Sequence, residues 1–408
     1  MLSLLDALDI MAGIDRVYPV FQPIFSADEH RVIGYEILGR FKLEDKSVSL
    51  GSFFQDEQVP VEFRLEADLA IVNIAFKKAL QLEDHILLFI NRDAEMLMAD
   101  TEEKLLKLIL SYEKKGISPS RIVLEISERN SMGEAGGLEH ILNYYRAYGV
   151  KIAIDKLGTD SSNLDQINML EPDILKVDLD ALGNVAIGPA YQDILYSLSL
   201  LARKIGANLL FESIETVFQL QFAWKNGGRY YQGYYLKEPS ADFVTGEVLK
   251  NQLKEECHSF IISEKKKIER LFILTSDLNR KLQELTMKYR KQKDDTQLLP
   301  LIGKELDGMA FRMYICDEDG FQDLPNLVEN RGSWIFHHEH NRKNWSWRPY
   351  FLENIFKMRS EKRGFLSDRY NDIESGETIR TFSYPIGQER YLFIDLSPAF
   401  LNAREELF

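Results

Sequence analysis

Residues 122–178 carry three short apolar runs in succession: IVLEIS (122–127), KIAID (151–155) and ILKVD (174–178). Each is rich in β-branched residues, each is too short for a helix, and each holds an acid at or near its end. Outward from these the same unit recurs, as FQPIFS (21–26), VIGYEIL (32–38) and ILLFIN (86–91) before them and NLLFES (208–213) and YYQGYY (230–235) after. Most gaps hold amphipathic stretches such as TEEKLLKLILSYEKKG and DILYSLSLLARKIG. Such alternation predicts an α/β fold with a mostly parallel sheet. Eight units in about 240 residues predict closure into a (β/α)8-type barrel.

The chain has 408 residues, enough for two or three domains. It is 45% hydrophobic and 28% charged, as expected of a globular protein and not of a disordered one. The formal net charge of −14 argues against a long nucleic acid as partner, which needs a basic stripe. Two cysteines, Cys257 and Cys316, far apart in sequence, provide no disulfide framework and point to a reducing compartment. No apolar run has the length of a membrane span. The opening MLSLLDALDIMAGID has Asp6 and Asp9 where a signal peptide is basic. A cytoplasmic location, with no membrane partner, is the expectation.

Beyond the barrel, spanning residues 1–240, two further zones are expected. From Glu247 to Leu299 there is neither Gly nor Pro, and Ile268, Leu271, Leu274, Leu278, Leu282, Leu285 and Tyr289 follow three- and four-residue steps. This predicts a long amphipathic connecting helix within 241–295, either a dimerising or signal-transmitting connector or a helix lying on a neighbouring domain. Residues 296–408 read as a small α+β domain, with strands in MAFRMYICDED, GSWIFHHE, TIRTFSYPI and RYLFIDLS and a helix in YFLENIFKMRSEK. NWSWRPYF (344–351) crowds aromatics around Arg348. It is either a small-ligand pocket or a core corner, and aromatics pack more often than they bind. HHEH (337–340) suits an exposed strand or turn better than a metal site.

The chemistry lies at the strand ends. Asn91, Glu125, Asp155, Asp178 and Glu212 close apolar runs, where barrel strands converge on one face. Helix N-capping is the alternative for each, although Glu is a rare cap. Glu36, Asn91, Glu125 and Asp155 are oxygen donors that suit Mg²⁺, Mn²⁺ or Ca²⁺. With Lys176, Glu212 and Glu215 they form a parts list for phosphate-ester hydrolysis, in which a metal lowers the pKa of a bound water.

The motifs resemble those of the EAL domain family, whose members bind cyclic di-GMP and, when active, hydrolyse it to pGpG. FQPIFS is similar to the family's YQPI strand, and YEILGR (35–40) to its ExLxR signature, with Ile37 in place of the name-giving Ala. FIN (89–91), LEISE (124–128), LKVD (175–178), FESIE (211–215, family AEGVE) and YQGYYLKEP (231–239) follow in order. The resemblance implies that Glu36, Asn91, Glu125 and Asp155 hold one divalent cation, with Glu215 and Gln232 completing its metal and water shell. It implies Lys176 on the attacking water or a phosphate oxygen and Glu212 as general base, with Glu36 also in the catalytic set. Gln22, Glu36, Leu38, Arg40, Asp178, Gln232 and Pro239 would line the ligand, and Glu128 would brace the loop after KIAID.

One departure stands out. Active relatives read DDFGTGYSS after the metal-binding strand, whereas here Asp155-Lys156-Leu157-Gly158-Thr159-Asp160-Ser161-Ser162 follows. Two-metal sites hold their cations about 3.5–4 Å apart through anionic ligands. Lys156 removes a ligand and adds a positive charge beside a dication, unless it turns outward. Across the whole chain the layout resembles the YkuI type of EAL protein from Gram-positive bacteria, in which the C-terminal domain is PAS-like. That resemblance implies a homodimer, a small ligand of the C-terminal domain, and weak or absent turnover. Three readings follow: a cyclic di-GMP receptor, a working phosphodiesterase gated by the C-terminal domain, and a scaffold. The scaffold is least favoured, since unpaired carboxylates have no folding use.

Overall fold

All eight apolar runs form strands in the computed structural model of the chain. It describes residues 7–44, 46–127, 135–155, 167, 169–180, 189–338, 342–348, 351–372, 375–387 and 389–403, with backbone alone at 135–136 and 189–193. The first of two units, Met1–Phe260, contains β1 (Val17–Ser26), β2 (Val32–Leu43), β3 (Lys46–Ser49), β4 (Leu87–Arg92), β5 (Ile122–Ser127), β6 (Lys151–Asp155), β7 (Ile174–Asp178), β8 (Asn208–Glu212) and β9 (Gly228–Tyr231). Their order is β1-β9-β8-β7-β6-β5-β4-β2-β3. Because β1 also pairs with β2, eight of them close into a barrel and β3 stays outside as a hairpin on β2.

Neighbours from β2 through β4 to β9 are parallel, whereas β1 runs antiparallel to both β2 and β9. The link between β1 and β2, residues 27–31, is too short for anything but a hairpin. The sequence reading also placed strand in YYQGYY, but β9 ends at Tyr231 and the chain turns at Gly233. A Cβ at Gly233 would lie 2.1 Å from the Ile214 carbonyl oxygen, so only glycine admits this turn.

The two faces of each strand explain the near-continuous apolar runs. Leu88, Ile90, Leu124, Ile126, Ile152, Ile154, Leu175, Val177 and Phe211 face outward into the core shared with the helices. Those helices include Val61–Ala79, Lys104–Glu113, Ala135–Ala147, Pro189–Ile205 and Val217–Lys225. Ile24, Ile33, Phe89, Val123, Ala153, Ile174 and Leu210 form a separate core inside the barrel. A register shift beside Ile24 makes Ile33 the extra residue of a bulge. Gly34 faces inward next to it, where a Cβ would meet the Phe89 ring at 2.9 Å.

The second unit, Ile261–Phe408, is built on a six-stranded antiparallel sheet. Its strands are β10 (Ala310–Asp317), β11 (Asn326–Asn330), β12 (Ser333–His337), β13 (Phe365–Leu366), β16 (Thr381–Gly387) and β17 (Arg390–Leu396), in the order β12-β11-β10-β17-β16-β13. A small separate hairpin joins β14 (Tyr370–Asn371) to β15 (Thr378–Ile379). Met313, Ile315, Leu392 and Ile394 pack on one side of the sheet against Leu274, Leu278, Leu282 and Leu285 of the helix Lys250–Lys288 and against the helix Asp295–Glu305. Tyr314, Cys316, Tyr391 and Phe393 pack on the other side against the helix Phe351–Glu361. This is the expected α+β, PAS-like domain. β11, with its polar sequence NLVEN, was not foreseen.

The long helix covers 39 residues and is tighter in extent than the zone read from the sequence. Its apolar stripe is divided. Leu274 to Leu285 are buried, but Ile268, counted with them in the sequence, is 64% exposed. In the aromatic cluster, Trp345 packs on Tyr314 and donates Nε1–H to Gln322, and the Arg348 guanidinium lies 4.5 Å from the Trp345 ring centre. The cavity beside them, between sheet and helix, has room for about one water molecule. Packing is therefore the main role of the cluster in this structure. His337 and His338 are exposed, and residues 339–340 lie outside the described set. Both cysteines are buried and free. Among the described residues no helix is long and apolar enough to cross a membrane.

Candidate functional site

Period-two alternation carries each inward-facing strand from an apolar residue to a polar one. Ile24 is followed toward the mouth by Gln22, Gly34 by Glu36, Phe89 by Asn91, Val123 by Glu125, Ala153 by Asp155, Ile174 by Lys176, Leu210 by Glu212, and Tyr230 by Gln232. β1 runs the other way, so its earlier residue lies at the mouth. Seven barrel strands, and the turn that follows β9, thus contribute to a polar ring above the apolar interior. N-capping does not account for the ring. Among described helices the acid cap after β4 is Asp93, which accepts from Met96 N, not Asn91.

Lys176 is the hub of the ring. It is 1% exposed, and its Nζ lies 2.8 Å from Glu125 Oε1, 3.0 Å from Glu212 Oε2, 3.4 Å from Glu36 Oε2 and 3.7 Å from Asp155 Oδ1. Glu36 is held further by Asn91 Nδ2, which donates to Oε1 at 2.7 Å, and by Gln232 Nε2, which donates to Oε2 at 2.6 Å. Gln22 is buried opposite Glu36 in the β1–β2 ladder.

Among the described residues the charges of the ring do not balance. Four carboxylates surround one ammonium. Burial pulls the Lys176 ammonium down, but the carboxylates outweigh it and hold it well above its ordinary pKa. Burial pushes Glu36 up, yet Lys176 and the two amide donors bring it below its ordinary value. Glu125 is lifted well above the usual carboxylate range by burial and by the Glu36 charge, with Lys176 opposing only in part. Burial, against the pull of Lys176, pushes Glu212 up to about 8.

Among the described residues, the buried oxygens Glu125 Oε2, Asp155 Oδ1 and Gln232 Oε1 have no hydrogen-bond partner. An excess of buried negative charge with unsatisfied hard oxygens fits a divalent cation. Among the described residues no three acidic, His or Cys side chains are already drawn up as a metal shell, since the cation these acids share here is Lys176.

The remaining expected residues fall around the ring. Leu38 and Arg40 continue β2 outward, half-buried, and Arg40 Nη1 donates to Gly39 O and Ser49 Oγ. Asp178 is half-buried beside Glu212 in register, and its Oδ1 accepts from Asp180 N. Glu215 is exposed and outside the buried cluster, and Pro239 is half-buried just before the Ser240 bridge to Phe21. Glu128 and Lys156 lie outside the described residues.

The geometry has its counterpart in known proteins. The family model of the EAL domain matches residues 4–239. The chain belongs to the EAL-domain family. A second model, the EAL-domain associated signalling protein domain, matches residues 243–408. The EAL-domain containing protein YkuI of Bacillus subtilis is 48% identical over 406 residues, covering 99% of this chain and 100% of its own. The crystal structure of that YkuI protein, in complex with substrate c-di-GMP and calcium, superposes with a TM-score of 0.92 at 49% identity, over 96% of this chain and 99% of that one. The probable cyclic di-GMP phosphodiesterase PdeG of Escherichia coli is 28% identical over 231 residues, 55% of this chain and 45% of its own.

Two features of this EAL domain escaped the sequence. Arg92, directly after Asn91, is buried and pairs with Asp68 of the helix Val61–Ala79 at 2.6 Å, anchoring the β4 end. An arginine next to a strand-end ligand candidate was the available signal. Ser213, directly after Glu212, has φ +57°, in the left-handed region that favours glycine. The family motif AEGVE places glycine there, and FESIE does not.

Proposed function

We propose that this EAL domain binds cyclic di-GMP at the barrel mouth together with a divalent cation, and acts as a receptor with little or no hydrolysis. The observation that carries the reading is the buried ring, which among the described residues has four carboxylates to one ammonium and oxygens without a hydrogen-bond partner. The complex of YkuI with c-di-GMP and calcium supports it. Glu36, Asn91, Glu125 and Asp155 would hold the ion, with Glu215 reaching its outer shell. A bound dication supplies the missing positive charge and polarises phosphate oxygens. Lys176 offers a buried ammonium to a phosphate oxygen. Gln22, Leu38, Arg40, Asp178, Gln232 and Pro239 surround the nucleotide, and Glu128 braces the neighbouring loop. Lys156 stands where active relatives have an acid, which disfavours a second ion and weakens activation of water.

A second reading, a working phosphodiesterase, draws on the retention of Glu36, Lys176, Glu212 and Glu215. Calorimetry of the full chain with cyclic di-GMP, with and without Ca²⁺, is paired with chromatography for pGpG in Mg²⁺ or Mn²⁺. Calcium-dependent binding without product is expected. Multiple turnovers would replace the receptor with the enzyme, and absence of binding would sink both. Lys156→Asp is expected to add a second ion per chain, measured by metal analysis after dialysis. A cytoplasmic location, a homodimer and a small ligand of the C-terminal domain belong to the same reading. Light scattering and a thermal-shift screen on the full chain test the last two.

A further inference from the structure

Gln232 is placed by a turn, not by a strand. β9 ends at Tyr231, Gly233 follows with no side chain to wedge it, and the last ladder-like bond is Gln232 N to Phe211 O at 2.9 Å. Yet its amide must meet Glu36 Oε2 at 2.6 Å. A line of hydrogen bonds closes the turn. Ile214 N donates to Gln232 O at 3.1 Å, Tyr235 N donates to Ile214 O at 2.9 Å, and Tyr235 OH donates to Glu256 Oε1 at 2.6 Å. Glu256 sits in the first turns of the helix Lys250–Lys288 and is oriented by Gln252 Nε2 at 3.0 Å. Its other oxygen is buried without a hydrogen-bond partner among the described residues.

The start of that helix is itself fixed to the barrel. Leu253, Cys257 and Phe260 are buried. Upstream, Tyr35 OH donates to Val244 O at 2.9 Å and Val32 N to Gly246 O at 2.9 Å, both from β2, the strand that carries Glu36. The helix start therefore touches the site along two routes, one through β2 and one through Tyr235.

We propose that Tyr235 and Glu256 are positioning residues for Gln232. Their hydrogen bond holds the turn so that the Gln232 amide stays on Glu36, and it makes the helix start and that side of the barrel mouth one mechanical piece. The role rests on the proposed nucleotide site, but its first test needs no ligand.

Hydrogen exchange of the full, ligand-free chain compares wild type, Tyr235→Phe and Glu256→Gln. Loss of one hydrogen bond of ordinary strength should speed exchange about fivefold in peptides covering both 228–240 and 250–260 for Tyr235→Phe. Glu256→Gln keeps an acceptor and should stay near wild type. Faster exchange confined to 250–260 would make the pair a helix anchor only, and unchanged exchange in both segments would equally overturn the proposal. Calorimetry with cyclic di-GMP and Ca²⁺ then reads the consequence, a three- to fivefold weaker Kd for Tyr235→Phe with Glu256→Gln unchanged (about the worth of that bond). Equal affinities would count against positioning. A wild type that binds no nucleotide would defeat the proposed function, while the exchange data would still decide the role of the pair.

Discussion

Each unit buries a cluster of charges, and the two clusters are built differently. In the C-terminal unit Arg312 lies between Asp395, at 2.6 Å from Nε, and Asp372, at 2.7 Å from Nη2. All four carboxylate oxygens accept hydrogen bonds: Asp395 from Arg312 and Thr381, Asp372 from Arg312 and Ser375. In the barrel four carboxylates share Lys176, and Glu125 Oε2, Asp155 Oδ1 and Gln232 Oε1 have no donor among the described residues. Burial alone does not distinguish a site from a strut. A cluster whose oxygens are all satisfied is architecture, whereas one with four acids to a single cation and buried oxygens without a donor is a place where a cation and its ligand complete the structure.

That contrast makes opposite predictions for removing one charge. Arg312→Met strands Asp372 and Asp395 without their cation. It should cost about 3–5 kcal/mol and lower the melting of the C-terminal unit by roughly 10–20 °C, read by calorimetry. A fall of only a few degrees would erase the difference between the clusters.

Glu125→Gln should act the other way in metal-free protein, stabilising the barrel by about 1–2 kcal/mol while removing calcium-dependent nucleotide binding. The sign follows from linkage. The folded-state pKa of Glu125 is raised, so its favourable contribution is complete below the ordinary carboxylate value and is lost as pH rises. Glu212, pushed up to about 8, contributes in the same sense. The stability gap between variant and wild type should therefore widen from pH 5 to pH 8 in thermal melts with chelator. A gap that narrows would show that the ring is not short of positive charge.

Ser213→Gly sharpens the comparison on the smallest scale. The left-handed backbone next to Glu212 costs a serine more than a glycine. The change should stabilise the barrel by about 0.5–1 kcal/mol in urea unfolding. A loss would mean that the Ser213 side chain earns its place through contacts stronger than the strain.

The barrel was legible because two simple periods dominate it. Inward and outward residues alternate along β4 to β8, and both faces are buried, so apolar runs with a polar end are written directly in the chain. Glu36, Asn91, Glu125, Asp155, Lys176, Glu212 and Gln232 could be named from that pattern and from the family motifs. Less visible were β3 and β11, whose pairing comes from a neighbouring strand and not from apolar content. The stripe of the long helix was read one turn too far, since Ile268 has the spacing of a core residue but no described core residue covers it. The bulge at Ile33 and the left-handed Ser213 depend on register and φ, which residue type alone does not state.

The sequence by itself determined the order of the eight barrel strands, the chemistry available at the strand ends, and the substitution of Lys156 for an acid. These are local properties, set by side-chain type and by periods of two and 3.6 residues. Only the tertiary structure decided that four acids from four strands meet one lysine, that the described residues offer them no second cation, and that Tyr235 and Glu256 reach back to the mouth. Those facts depend on distances between residues up to 196 positions apart, such as Glu36 and Gln232. Barrel closure sets such distances, and no local pattern encodes them.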